Sequence, residues 1–358
     1  MHKQKSKNTR LIIISIACHV LSIPLIVIPL VTAIVYECIF YTRYETPTWR
    51  KYSIEDFEGL SVERSDFESN GVTLAGYKYS KEEKTEKGVV ILAHGLGGGG
   101  HNSYMPFIDV FTSNGYFVFT YDARGNDESE GRSVRGLPQG VIDLDSAICH
   151  AKEIDEYQDL PMMLFGHSWG AYSAATVLNI HPEIDAAVII AGFNESEDMM
   201  KYQAEKRVGE GIVNVLFSYV ELYEELKFGK EFTEITAIEG LRGTDADIMI
   251  VHSRDDEIVP SKYGYEAFYG EFSESERFEF VLYEDKGHDY VLYSEESLKY
   301  REALEEEYDA YRIEHHLRNI DSVESAYMEE HLDKFLCFEP DPELTEQILL
   351  LFEKSIKD

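Results

Sequence analysis

The chain has 358 residues, enough for one large domain with insertions or at most two domains, and 44% of them are hydrophobic. Its 67 acidic residues outnumber 33 basic ones, giving a net charge of −34, which excludes a nucleic-acid-binding role and makes a basic patch an unsuitable means of holding an anionic membrane. Two of the four cysteines, Cys18 and Cys38, lie in an apolar stretch and only Cys149 and Cys337 lie beyond it, so no disulfide framework is implied.

Residues 1–10 form a short basic tail with Lys3, Lys5, Lys7 and Arg10. Residues 11–40 follow, uncharged until Glu37 and longer than the roughly 20 helical residues a bilayer core needs. The run overshoots a cleavable signal and lacks a cleavage site, so an uncleaved single-pass transmembrane anchor is expected, kinked or tilted at Pro24 and Pro29. The basic tail outweighs Arg43, Arg50 and Lys51, which places the amino terminus inside and the remainder outside the cytoplasm.

A polar and aromatic connector covers 41–59. Leu60–Phe67 and Val72–Tyr79 read as strands around the Ser69-Asn70-Gly71 turn. Short apolar runs without alternation come next: Val89–Ala93, Phe117–Tyr121, Met162–Phe165, Ala186–Ala191, Ile248–Val251 and Phe278–Tyr283. Such runs fit strands covered on both faces. Helical spacing in Tyr104–Thr112, Val141–Ile154 and Ala171–Leu178 separates several of them, so the fold class is α/β, a doubly wound and mainly parallel sheet spanning 60–358. Residues 194–245 and 291–340 are too long for plain connectors and read as a helical cap insertion and a second insertion, before a last amphipathic helix at Leu344–Ile356.

The chemistry concentrates in Gly166-His167-Ser168-Trp169-Gly170, a G-x-S-x-G pattern entered by an apolar strand and left by a helix rich in small residues. A serine at its ordinary pKa is a poor nucleophile and needs a histidine base whose tautomer an acid fixes. His288 follows the Phe278–Tyr283 run in Lys286-Gly287-His288-Asp289, whereas His181 and His331 fall in or beside helices and His315-His316 sits in the acidic insertion. Asp255 and Asp256 follow Ile248–Val251, and Asp285 is a rival acid. No metal site is expected, because His315-His316 lacks a spaced partner set. Gly97–Gly100 has no G-K-[ST] after it, so no nucleotide cofactor is expected.

On these motifs the chain resembles the α/β-hydrolase superfamily, in particular its monoglyceride-lipase-like and serine-aminopeptidase-like members. The resemblance runs from about Leu60 to His288 and resumes in the last helix, and includes His94-Gly95-Leu96-Gly97 and Asp122-Ala123-Arg124-Gly125-Asn126-Asp127. It implies Ser168 as nucleophile, His288 as base and Asp256, in D-x-x-V-P, as orienting acid. The backbone N–H groups of Leu96 and Trp169 are then the oxyanion donors. The implied reaction is hydrolysis of a carboxylic ester, first of all a lipid or acylglycerol-like one, with an aminopeptidase or acyltransferase as alternative and a catalytically silent binding module as the non-enzymatic rival. The chain departs from the family in having Gly125-Asn126-Asp127 where G-H-G is usual, and Ser253 where Gly is usual.

Overall fold

A computed structural model describes residues 11–15, 22–81, 87–318 and 320–356. The basic tail and Cys18 lie outside them. Contacts divide the chain into two compact units, one made of residues up to Tyr41 with Glu197–Glu234, the other of Thr42–Ser196 with Ile235–Asp358.

The larger unit is built on an eight-stranded sheet. In chain order the strands are β1 (Leu60–Arg64), β2 (Phe67–Ser69), β3 (Val72–Leu74), β4 (Gly76–Lys81), β5 (Gly88–Ala93), β6 (Tyr116–Tyr121), β7 (Met162–His167), β8 (Ala186–Ile190), β9 (Asp247–Ser253) and β10 (Phe278–Tyr283). The main sheet has the order β1-β4-β6-β5-β7-β8-β9-β10, with β1 and β4 antiparallel and the pairs from β6 to β10 parallel. The doubly wound expectation therefore holds for the core.

The missing alternation has its cause in two-sided burial. Val90, Leu92, Met163, Phe165, Val188, Ile190, Met249 and Val251 pack with Phe107, Phe111, Leu344, Ile348 and Phe352, from the helices Met105–Ser113 and Pro342–Ser355. The intervening Val89, Ile91, Leu164, Ala187, Ile189, Ile248 and Ile250 are equally buried, and Pro138–Lys152 and Trp169–Val177 pack on each other and on the sheet. Both faces of β5, of β8 and of β7 as far as Phe165 are thus apolar.

The two strands expected at 60–67 and 72–79 are each broken in two. Asn70 and Gly71 both have positive φ, at 44° and 76°, and close the small β2–β3 hairpin. At Gly76 a side-chain carbon would stand 2.1 Å from the Ser65 carbonyl oxygen, so the chain turns sharply there before pairing again as β4. Residues 291–340 fold as the helices Glu295–Glu314, Asp321–His331 and Lys334–Cys337.

In the smaller unit, residues 11–15 are helical, and a π-helical turn at Ile23–Val27 runs into the α-helix Ile28–Phe40. Among the described residues no helix is long and apolar enough to cross a membrane, so the span expected over 11–40 is not present there as one regular helix. Pro24 lies in the π-helical turn and Pro29 in the first turn of the following helix, where missing N–H groups disfavour a continuous α-helix. Ile28–Phe40 packs instead on Glu210–Phe228: Tyr36 donates its hydroxyl to Glu224 at 2.5 Å, Tyr223 donates to Glu37 at 2.6 Å, and Lys227 pairs with Glu37. Leu30 and Ile34 of this helix, and Leu25 and Ile26 of the preceding π-helical turn, are exposed.

Candidate active site

β7 ends at His167 and the helix Trp169–Val177 begins two residues later, which leaves Ser168 as the whole turn. It adopts φ 56° and ψ −116°, a conformation costly for a residue with a side chain, on the order of 1–3 kcal/mol. Surrounding contacts impose it: Ser168 N–H donates to the Ile190 carbonyl at 2.8 Å, and Tyr172 N–H donates to the Ser168 carbonyl at 2.9 Å. The flanking glycines are sterically required. A side-chain carbon at Gly166 would lie 2.4 Å from the Gly170 carbonyl oxygen, and one at Gly170 would lie 2.0 Å from that of Ala93. Gly170 therefore draws the start of the helix against the end of β5, bringing the loop that carries Leu96 toward Trp169.

The structure brings Ser168, His288 and Asp256 together in one hydrogen-bonded series. His288 Nε2 is 2.8 Å from Ser168 Oγ, and His288 Nδ1 is 2.7 Å from Asp256 Oδ2. An Nδ1–H donated to the carboxylate leaves Nε2 as acceptor for the serine hydroxyl, the arrangement a general base requires. Asp256 is buried, and its other oxygen accepts the N–H groups of Ile258 and Val259 at 2.9 and 2.8 Å. That turn is the physical content of D-x-x-V-P. Asp255 points elsewhere: its carboxylate accepts Ser253 Oγ–H at 2.6 Å and Gly287 N–H at 2.8 Å, tying β9 to the loop that carries His288. Ser253 in turn accepts Lys286 N–H at 2.9 Å, so the serine found where Gly is usual helps to hold that loop.

A second network, which the sequence did not reveal, centres on His167. Its Nε2 donates to the His288 carbonyl at 3.2 Å, which leaves Nδ1 as acceptor for the Tyr104 hydroxyl at 2.9 Å; the Tyr104 oxygen accepts Gly95 N–H at 3.0 Å. The β5 loop, the nucleophile strand and the His288 loop are joined through one neutral imidazole. Burial, followed by the nearby His288, pushes the His167 pKa down to about 4. The only sequence trace of this role is a histidine directly before the nucleophile.

The connector packs onto the same loops. Asp127, where the resemblance leads one to expect Gly, accepts Thr46 N–H at 2.7 Å, Thr46 Oγ1–H at 2.6 Å and Gly100 N–H at 2.9 Å. Asn102 and Tyr52 form a reciprocal pair, Tyr52 N–H to Asn102 Oδ1 at 2.8 Å and Asn102 Nδ2 to the Tyr52 carbonyl at 3.0 Å. Residues 46–52 are thereby held against the loop following β5.

Two groups of metal-ligating side chains lie close together among the described residues: His167, His288 and Asp289, and Asp145, Cys149 and His181. Both ring nitrogens of each of these histidines are already engaged with protein partners, so neither group offers a ready set of free donors. Asp285, the rival acid, has no hydrogen bond to His288, whose two ring nitrogens are taken by Asp256 and Ser168.

Residues 84–245 match the family described as serine aminopeptidase, S33. The quorum-quenching protein AidA of Acinetobacter baumannii (strain MDR-ZJ06) is 28% identical over 116 residues, 32% of this chain and 38% of that protein. Caffeoylshikimate esterase of Arabidopsis thaliana is 31% identical over 115 residues, 32% of this chain and 35% of that protein. The matched stretch spans well under half the length of either relative. Among solved structures, the Pyrococcus furiosus esterase Pf2001 superposes with a TM-score of 0.51 at 17% identity, covering 69% of this chain and 91% of that one, a likeness of fold.

The His167 pKa makes a prediction about stability. Its folded value lies below the ordinary histidine value near 6.5, so the unfolded chain binds the extra proton first. Stability is full above pH about 6.5 and is lost as pH falls toward 4. Urea unfolding at pH 7, 6 and 5 should accordingly give a shallower pH dependence for His167→Asn than for the parent chain. Parallel curves would mean that His167 is not held neutral by the fold.

Proposed function

Because the chain is built on the α/β-hydrolase fold, we propose that it hydrolyses carboxylic esters through an acyl-Ser168 intermediate. The observation that carries this reading is the Ser168–His288–Asp256 series, with the serine on a strained turn at the C-terminal end of β7. His288 Nε2 takes the proton as Ser168 Oγ attacks the carbonyl carbon, and Asp256 stabilises the imidazolium. The N–H groups of Leu96 and Trp169 receive the oxyanion, each worth about 3 kcal/mol in the transition state. His288 then returns the proton to the leaving oxygen, and water attacks the acyl group by the same route in reverse. The family match favours an aminopeptidase-like peptidase as second reading, since the same groups cleave amides.

The anchor forms part of the proposal. Residues 11–40 attach the enzyme to a membrane with the catalytic unit outside, a reading supported by Leu25 at 71% exposure beside exposed Ile26 and Leu30, and by exposed Ile212 and Leu226 elsewhere in the same unit. It makes a membrane-borne lipid ester accessible as substrate. Protease added to intact cells should cleave the catalytic unit; protection until lysis would overturn the orientation.

Ser168→Ala should abolish fluorophosphonate labelling of the full chain while its circular dichroism stays that of the parent. Labelling that persists in the folded variant would place the nucleophile elsewhere. Asp256→Asn should lower kcat by up to about 10⁴-fold on a 4-nitrophenyl ester, because the imidazole loses the acceptor that fixes its tautomer. Asp255→Asn should cost far less, since it loosens the loop without touching the imidazole. Equal losses from the two would remove Asp256 from its assigned role.

A further inference from the structure

Two arginines close to this site form no direct ion pair among the described residues, in a protein with 67 acidic residues. Arg50 ends a short 3-10 turn, Thr48–Arg50, within the connector and Arg301 lies in the helix Glu295–Glu314, and both guanidinium groups lie over the ring of Phe338, at 4.6 and 5.2 Å from its centroid. Arg301 also lies 4.1 Å from the Tyr290 ring centroid. Arg50 donates Nη2–H to the Tyr293 hydroxyl at 3.1 Å. Its Nε is buried with no hydrogen-bond partner, as is Nη1 of Arg301, and neither side chain forms an ion pair among the described residues. Glu305, one turn beyond Arg301, accepts the Tyr290 hydroxyl instead.

Their location ties them to the reacting groups. A side-chain carbon at Gly98, two residues past Leu96, would stand 3.6 Å from Arg50 Nη1. Asp289, which immediately follows His288, is exposed to solvent, and the neighbouring His167 and His288 rings together with the Arg50 and Arg301 guanidinium groups hold its carboxyl below the usual range. Buried N–H donors of a charged group left without acceptors are costly, and natural structures seldom retain them without a ligand or water to meet them. The forked geometry of guanidinium matches a carboxylate, which accepts two parallel N–H bonds. Aromatic rings on one face fix the planes of the forks without satisfying their in-plane donors.

We propose that Arg50 and Arg301 form a subsite for a carboxylate carried by the ester substrate. The assignment rests on the hydrolase reading above and narrows it to esters with an anionic group. Asp289, whose charge both arginines feel, stands at the edge of this subsite as an internal competitor for a substrate carboxylate. Asp127 is indirectly responsible for the subsite, since its grip on Thr46 keeps the connector, and Arg50 with it, beside the Gly98 loop.

The test uses the purified full chain in neutral detergent and two matched pairs of esters. Monoethyl glutarate against ethyl butyrate puts the carboxylate on the acyl side; O-butyryl glycolate against ethyl butyrate puts it on the alcohol side. Acid release is followed by nuclear magnetic resonance, and the readout is the ratio of kcat/KM for the charged to the neutral ester. In the parent chain at least one pair should give a ratio of about ten or more, as expected for one charge-assisted hydrogen-bonded pair. Arg50→Gln and Arg301→Gln should each lower that ratio about tenfold, Arg301→Lys should retain more of it than Arg301→Gln, and Asp289→Asn should raise it. Changes in the catalytic step common to both esters cancel in the ratio. Ratios at or below one for both pairs in the parent chain would overturn the subsite without needing any variant to fold, as would a ratio unmoved in folded arginine variants. Failure of the hydrolase reading looks different: neither ester is turned over and Ser168 takes no fluorophosphonate.

Discussion

The arrangement depends on a single crowded junction, where β7 becomes the helix Trp169–Val177 with only Ser168 between. Sheet hydrogen bonding requires β7 to continue to His167, and the helix can start only if its first turn lies directly against the end of β5. Glycine at 166 and 170 removes the two carbons that would collide, and the remaining conflict is concentrated in the backbone of Ser168, at φ 56°. Burial of Trp169, Ala171, Tyr172 and Ala174 offsets this strain, which is why a destabilised residue can persist at the centre of the sheet.

Around that junction the loops are positioned by polar contacts rather than by apolar packing. His167 joins the loop after β5 to the loop carrying His288, and it can do so only as a neutral ring that donates on one side and accepts on the other. Asp255 and Ser253 hold the same His288 loop from the β9 side. Loop position at a sheet edge cannot be fixed by burial of apolar surface, because the loops must leave the serine reachable; directional hydrogen bonds do this with little buried area.

The departures from the family pattern gain meaning in this light. Asp127 and Ser253 each replace an expected residue, and each accepts or donates hydrogen bonds that anchor a segment next to the site. Asp127 secures the connector, which supplies Arg50. The insertion 291–340 supplies Arg301, and Phe338 at its end stacks with both. Residues added outside the common core thus contribute charge to the surroundings of a reaction centre made from the core.

The strands from β5 to β10, the nucleophile elbow and the D-x-x-V-P acid were legible in the sequence because each is a local pattern: unbroken apolar runs, glycines at fixed offsets, a carboxylate three residues before Val259. The choice of Asp256 over Asp255 was suggested by resemblance, and its physical reason appears only in three dimensions, where a two-residue turn of N–H groups takes one carboxylate and Gly287 takes the other. The hairpin at Asn70-Gly71 was visible, but the breaks near Ser65 and Gly76 were not, since they arise from crowding between separate strands. Apolarity marked 11–40 as a segment apart; how Tyr36 and Glu37 pair with Glu224, Tyr223 and Lys227 depended on residues nearly 190 positions away. The links from Tyr104 through His167 to His288, and the convergence of Arg50 and Arg301 on Phe338, likewise join residues far apart in the chain. No local pattern encodes them, because packing of the sheet and helices had first to bring their backbones within hydrogen-bonding or stacking range.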